Sequence, residues 1–169
     1  MNDTVHFRFV DSPVGTILIT CRTGAITRLE MIDDDDAFVP GPNWRPDEGR
    51  LDEAASQLRE YFAGDRTSFD LELAPDGTPF QKLVWSALRE IPYGETTSYA
   101  ELAARLGRPT AARAVGNANG RNPIGIIVPC HRVIAANGGL GGYAAGLSRK
   151  RFLLDLEARG RAGGVAFAA

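Results

Sequence analysis

The sequence predicts an α/β protein in two parts: a small α+β part, then a mostly helical part that contains a helix-turn-helix. Three observations predict it. Strand-type alternation fills the early segments, helix caps recur at short intervals after residue 77, and the charge changes sign between the parts. Residues 1–80 carry seven Lys/Arg against sixteen Asp/Glu, while residues 81–169 carry twelve against five. The formal net charge of −2 conceals this asymmetry. A basic half attracts a polyanion and leaves the acidic half pointing away from it, although many domains carry a basic face with no partner.

Composition narrows the classes. A chain of 169 residues that is 44% hydrophobic can fold as one compact unit or as two small domains sharing an interface. No stretch is long and apolar enough to cross a membrane, and MNDTVHFRFV lacks the positive start of a secretory signal. The two cysteines, Cys21 and Cys130, lie far apart and make no disulfide scaffold. A cytoplasmic protein is the expectation.

In chain order, residues 4–10 and 14–20 read as strands around DSPVG, because VHFRFV alternates and TILIT is rich in β-branched residues. A third strand is expected from Ala25 to Met31. The like charges and prolines of DDDDAFVPGPNWRP fit an exposed loop. Leu51, Ala54, Ala55, Leu58, Tyr61 and Phe62 then make one helical face, ended by Gly64. FDLEL at 69–73 reads as an edge-like strand. Cys21 reads as a small buried side chain, and this part offers no cluster of catalytic residues.

Past Pro75-Asp76-Gly77, Thr78 is a good N-cap, Pro79 fits the first helical position and Gln81 completes a capping box. Phe80, Val84, Ala87, Leu88 and Ile91 form the buried stripe of a helix that stops at Pro92-Tyr93-Gly94. Ser98 and Glu101 open a short helix through Leu106. Gly107-Arg108-Pro109 breaks it, and Thr110 caps a third helix running to about Asn119. These boundaries divide the chain into 1–75, 79–160 and a flexible tail, 161–169.

Helix, tight break, helix is the helix-turn-helix arrangement, a weak signal by itself. In the second helix of the pair, Ala111, Ala112, Ala114, Gly116 and Ala118 are small and Arg113 is the long side chain. Small residues suit a helix whose backbone presses against a groove. They suit close helix–helix packing with Arg113 as a solvated charge equally well.

The apolar run IGIIV, Ile124 to Val128, reads as a buried strand that delivers PCHRVI. Cys130 beside His131 is a nucleophile with its base, half a metal site, or a packing accident. Zinc needs three or four protein ligands, and the second part adds only scattered carboxylates, with the other histidine and cysteine, His6 and Cys21, distant in the chain. Neighbours in an extended strand point to opposite faces, so His131 addresses Cys130 only across a turn or through water. His131 also needs an acceptor to select its tautomer. The following helix, Ser148 to Arg159, offers Asp155 and Glu157, and periodicity does not choose between them. Its Lys150 and Arg151 fit phosphate contacts or a solvated face. Five glycines in NGGLGGYAAG suit a loop over a ligand or a mobile surface loop.

Together, PCHRVI, the preceding RAVGNANGRNPIGIIV and the following GGLGGYAAGLSRKRFLLDLE resemble the O6-alkylguanine-DNA alkyltransferase family, the methylated-DNA–protein-cysteine methyltransferases. The resemblance covers 79–158 closely, with FQKLVWSALREIPYGETTSYAELAARLG included. The first part is less distinctive but is similar to that family's small ribonuclease-H-like α/β domain. For the second part the resemblance implies a winged-helix-like domain holding the helix-turn-helix.

The chemistry that follows is implied by the resemblance. Cys130 irreversibly takes a methyl or other alkyl group from O6-alkylguanine, with O4-alkylthymine as a further substrate, in DNA whose damaged base is flipped out. Glu157 orients His131, which reaches Cys130 through water and raises its thiolate character. Tyr99 helps flip the base and donates toward guanine N3. The carbonyls of Cys130 and Val133 hold the exocyclic amine, Asn122 braces the turn, and Tyr143 and Ala144 belong to the pocket. Arg113 fills the space left by the flipped base while its helix, with Thr110, Ala111, Ala114 and Gly116, lies in the minor groove of double-stranded DNA. Arg132 is given a structural role behind the turn. Neither cofactor nor metal is implied, and the working unit is a monomer with assembly along DNA left open. Two departures stand out. Ala144 sits where some members carry serine, which leaves methyl against bulkier groups open, and the first part lacks the cysteine–histidine cluster that binds structural zinc in some relatives. Cys130 argues against the members that bind lesions without a reactive cysteine.

Overall fold

The computed structural model describes residues 3–33 and 37–168, with side chains described through Arg161. Three antiparallel strands, β1 (Val5–Ser12), β2 (Gly15–Arg22) and β3 (Ala25–Ile32), form a meander. Thr23 and Gly24, at φ 50° and 88°, make the two-residue turn whose twist matches the flanking strands. Ile17, Ile19, Cys21 and Leu29 are buried on one face of this sheet. Helix α1 (Asp52–Ala63) buries Ala54, Ala55, Leu58 and Tyr61 in the same core, and Arg8 of β1 pairs with its Asp52.

Two expectations for this half need correction. Inside the segment read as a loop, β4 (Trp44–Pro46) pairs parallel with β1, giving the order β3-β2-β1-β4. Aromatic packing recruits it: the Trp44 ring lies 6.1 Å from Phe7 and 5.9 Å from Phe38. Asp34 to Asp36 of that segment lie outside the described residues. Residues 69–73 form no strand beyond a single bridge from Leu73 to Ile26. The buried Gln57 side chain takes the backbone of Asp70 instead, accepting from its N–H at 2.9 Å and donating to its carbonyl at 3.1 Å.

The second half is mostly helical. Capping boxes at Thr78/Gln81 and Ser98/Glu101 open α2 (Pro79–Leu88) and α3 (Tyr99–Arg105). Helix α4 (Ala112–Gly120) begins later than Thr110 predicts. A turn from the Arg108 carbonyl to the Ala111 N–H, 2.9 Å, leaves Ala111 at the N-cap and Thr110 exposed outside the helix. The short strands β5 (Thr97–Ser98) and β6 (Val133–Ile134) pair in parallel. Helix α5 spans Leu147–Ala168, past the expected end near Arg159 and through the segment read as a tail. Once its packed first turns are nucleated, each added residue brings its own hydrogen bond, and propagation is inexpensive.

The halves share one core, in which Leu58 and Tyr61 join Val84, Leu88 and Leu153. The Trp85 indole donates to the Ala118 carbonyl at 2.8 Å, tying α2 to α4. Arg149 of α5 donates to the Val14 and Ile32 carbonyls at 2.9 and 3.2 Å, tying α5 to the sheet. None of the described helices is long and apolar enough to cross a membrane.

Candidate active site

The run Ile124 to Val128 is buried, as an apolar run should be, but it is not a strand. It folds as a compact turn. Leu29 of β3 bridges to Ile124, donating to the Pro123 carbonyl at 2.9 Å and accepting from the Gly125 N–H at 3.0 Å. Ile126 sits at φ 67°, and the Ile127 N–H reaches back to the Gly125 carbonyl at 2.8 Å. A β-branched residue with positive φ is strained, and such strain concentrates at functional sites. Asn122 clasps the turn: its amide donates to the Val128 carbonyl at 2.8 Å while its oxygen accepts from the Ile124 N–H at 3.0 Å. Pro129 then turns the chain (φ −82°, ψ 64°) into a 3₁₀ turn, Cys130–Arg132.

That turn places His131 against α5. Its Nε2 lies 2.7 Å from Glu157 Oε1. An ionised carboxylate only accepts, so Nε2 carries the proton and Nδ1 keeps its lone pair. Nδ1 is buried and has no hydrogen-bond partner among the described residues. Burial pushes the imidazole below its ordinary value, against the opposing pull of Glu157, so the ring rests neutral. Burial alone would raise Glu157, but hydrogen bonds from His131 and Arg132 hold it at about 2. Arg132 grips both oxygens, Nε to Oε2 at 2.8 Å and Nη2 to Oε1 at 2.9 Å, and ties its remaining nitrogen to the Ile91 carbonyl at 2.6 Å. Asp155, the other acid on α5, is exposed.

The Cys130 thiol is pushed up by burial. The Asn122 amide, the Lys150 charge and the backbone amides of Cys130 and His131 oppose that rise by favouring the thiolate. Cys130 lines a cavity of about 570 Å³ with Tyr99, Gly116, Asn122, Tyr143 and Ala144, a size within the about 300–1,000 Å³ of small-ligand sites. Burial, then the nearby Cys130, raises the phenols of both Tyr99 and Tyr143, which stay protonated. Gly141, at φ 70°, lies where a Cβ would come 3.0 Å from the Tyr99 hydroxyl. Residues of β3, Arg28 to Met31, form a further wall, so the first half helps shape the pocket. Val133 does not line it; its carbonyl accepts from Lys150 Nζ at 2.7 Å.

Arg113, Ala114 and Thr110 are exposed beside the cavity-lining Gly116, while Val115 and Ala118 of α4 face the core. Three residues of the site escaped the sequence reading. Tyr61, taken as part of an apolar helix face, donates to Glu157 Oε1 at 2.7 Å from the other half of the molecule. Lys150 is fully buried, which overturns both a phosphate contact and a solvated face; it joins Val133 to the Gly142 carbonyl, 3.1 Å away. Its spacing to Leu153 and Glu157 was the available signal, since all three share one buried face of α5. Asn119, read only as a helix end, is buried on the cavity wall. The described residues contain no group of metal-binding side chains.

Comparison with known proteins agrees across nearly the whole chain. Residues 79–159 match the 6-O-methylguanine DNA methyltransferase DNA-binding domain, and residues 5–75 match the ribonuclease-like domain of the same proteins. The methylated-DNA–protein-cysteine methyltransferase of Mycobacterium leprae is 53% identical over 154 residues, covering 90% of this chain and 92% of that protein. That of Methanosarcina acetivorans is 50% identical over 153 residues, covering 90% and 98%. The Mycobacterium tuberculosis OGT solved in complex with DNA is 51% identical and superimposes with a TM-score of 0.84, over 92% of this chain and 94% of that one. Two family domains in the right order, and relatives about half identical along almost their full length, leave one conclusion: the chain belongs to the 6-O-methylguanine DNA methyltransferase family.

Proposed function

We propose that this protein repairs alkylated DNA directly, moving the alkyl group from guanine O6 onto Cys130 in a single irreversible transfer. The observation that carries the reading is Cys130 on the wall of a base-sized cavity, one residue from a buried His131 fixed by Glu157. The thiol proton passes through a water to His131 Nδ1, the free lone pair, and Glu157 stabilises the imidazolium. The thiolate attacks the alkyl carbon, the new C–S bond forms as the C–O bond breaks, and the electron pair leaves with O6. Tyr99 donates toward N3 of the departing purine. The thioether has no hydrolytic route back, so each copy acts once. Burial raises the Cys130 thiol and lowers the His131 imidazole, which keeps both neutral at rest until the proton is passed between them.

On the DNA side, α4 enters the minor groove with Arg113 in the space of the flipped nucleotide. Small Ala111, Ala114 and Gly116 and exposed Thr110 allow close backbone approach. We read the protein as a monomer working in the cytoplasm. Incubation with duplex carrying radiolabelled O6-methylguanine tests the transfer. One methyl per protein should appear at Cys130, and none on Cys130→Ser; unlabelled wild-type protein after binding would sink the reading. Arg113→Ala should slow repair of duplex far more than reaction with the free alkylated base, and equal slowing would count against its role in flipping.

A further inference from the structure

Glu157 is held unevenly. Its Oε1 lies 2.7 Å from His131 Nε2 and 2.9 Å from Arg132 Nη2, and it also accepts from the Tyr61 hydroxyl at 2.7 Å. Oε2 takes Arg132 Nε at 2.8 Å. Tyr61 is the donor that comes from the first half, on α1, and only 1% of it is exposed. Phenylalanine would fill an apolar helix face without the cost of desolvating a hydroxyl, so the oxygen is accounted for by its partner and not by packing. Three rings fix its direction: Phe62 and Tyr93 meet the Tyr61 ring edge-on, and Phe69 lies tilted at 5.5 Å. Burial, then the Glu157 charge, raises the phenol well above its ordinary value, so Tyr61 stays protonated and donates.

A carboxylate oxygen divides its charge among its donors. A neutral hydroxyl on Oε1 fixes the carboxylate in place and weakens its pull on the His131 proton. The other groups facing His131 and its carboxylate are Lys150 of α5, Cys130 and Arg132 of the reacting turn, Tyr93 ahead of β5 and Tyr143 of the glycine-rich loop. Lys150 and Arg132 disfavour a positive charge on the ring, and Glu157 favours it. Tyr61 adjusts that balance without adding a charge. The balance matters because His131 must rest neutral to accept the thiol proton, yet hold it while the thiolate attacks.

We propose that Tyr61 is a positioning residue for the transfer: it anchors Glu157 Oε1 from the first half and sets how readily His131 takes the proton of Cys130. The proposal rests on the repair reading above and extends its machinery to α1. Two measurements on wild type, Tyr61→Phe and Trp85→Phe test it. The chain has two histidines, so imidazole nitrogen NMR, with His6→Gln as the assignment control, follows His131 by itself. Its midpoint in wild type should fall below the 6.5 of an ordinary histidine. In Tyr61→Phe it should rise by about half a pH unit or more, a modest share of the worth of a hydrogen bond to a charged group. Single-turnover methyl transfer from duplex O6-methylguanine slows in acid as His131 becomes protonated at rest, and this acid limb should move up with the midpoint. Trp85→Phe loses a buried bond to the Ala118 carbonyl, which none of these groups shares, and should weaken the fold while leaving both values in place. A Tyr61→Phe midpoint or limb that stays at the wild-type value, or an equal shift in Trp85→Phe, would overturn the proposal. Wild type that takes no methyl while the NMR shift appears would overturn the repair reading instead.

Discussion

Glu157 receives four hydrogen bonds on two oxygens, from Tyr61, from His131 and twice from Arg132. Its charge is thus shared between orienting His131 and neutralising a buried guanidinium. Glu157→Gln leaves Arg132 uncompensated and should cost about 3–5 kcal/mol of stability in urea unfolding, beyond any loss of transfer. A variant as stable as wild type would refute that electrostatic role. The pH dependence has a definite sign. A carboxylate held at about 2 contributes stability fully above the 4.5 of a free carboxyl and loses it as pH falls through about 2. Between those values wild type should weaken more steeply than Glu157→Gln. Tyr61→Phe removes one neutral donor and should cost about 1 kcal/mol, with transfer slowed by a looser His131; an unchanged rate would make Tyr61 merely structural. Cys130, His131 and Glu157 could be grouped from the sequence because three dense motifs occur in family order, and the structure sets His131 on Glu157. Tyr61 was not legible in this way, because a tyrosine on an apolar face announces burial and not the partner of its hydroxyl.

At the scale of elements, periodicity and caps found the three long strands, α1 and the capping boxes, since those depend on local chemistry. It failed where a long-range contact chooses the backbone. Ile124 to Val128 has a strand's composition, but the β3 edge offers it only the Leu29 bridge, and Asn122 supplies the remaining partners of the turn. Thr110 has a cap's chemistry, and the preceding turn starts α4 after it. The glycine-rich loop had two readings; its residues Gly142 to Ala145 line the cavity with Cys130, and at Gly141 the positive φ and the nearby Tyr99 hydroxyl disfavour a side chain. Gly141→Ala should lower stability by about 1 kcal/mol for the left-handed backbone and slow transfer more than that loss accounts for, by displacing Tyr99. Rate and thermal midpoint measured together check this; a normal rate would return the loop to a passive surface role.

For the whole molecule, composition left open one compact unit or two small domains sharing an interface, and packing joins the two halves. Tyr61 reaches the carboxylate behind the reacting turn, Leu29 bridges to that turn, Arg149 fastens α5 to the sheet, and the core runs through both halves. Melting the sheet would therefore remove partners from the active site, and the chain should unfold as one cooperative unit. The two tryptophans allow a direct check, since Trp44 lies in β4 and Trp85 in α2. In Trp85→Phe the remaining emission reports the first half, and in Trp44→Phe the second. Within each variant, tryptophan emission and far-ultraviolet circular dichroism should trace one denaturation curve. The midpoint of Trp85→Phe should be the lower of the two, because it loses the indole bond to the Ala118 carbonyl. Emission that runs ahead of dichroism in either protein would mean that one half melts alone. The first half would then be a neighbour of the active site and not part of its support.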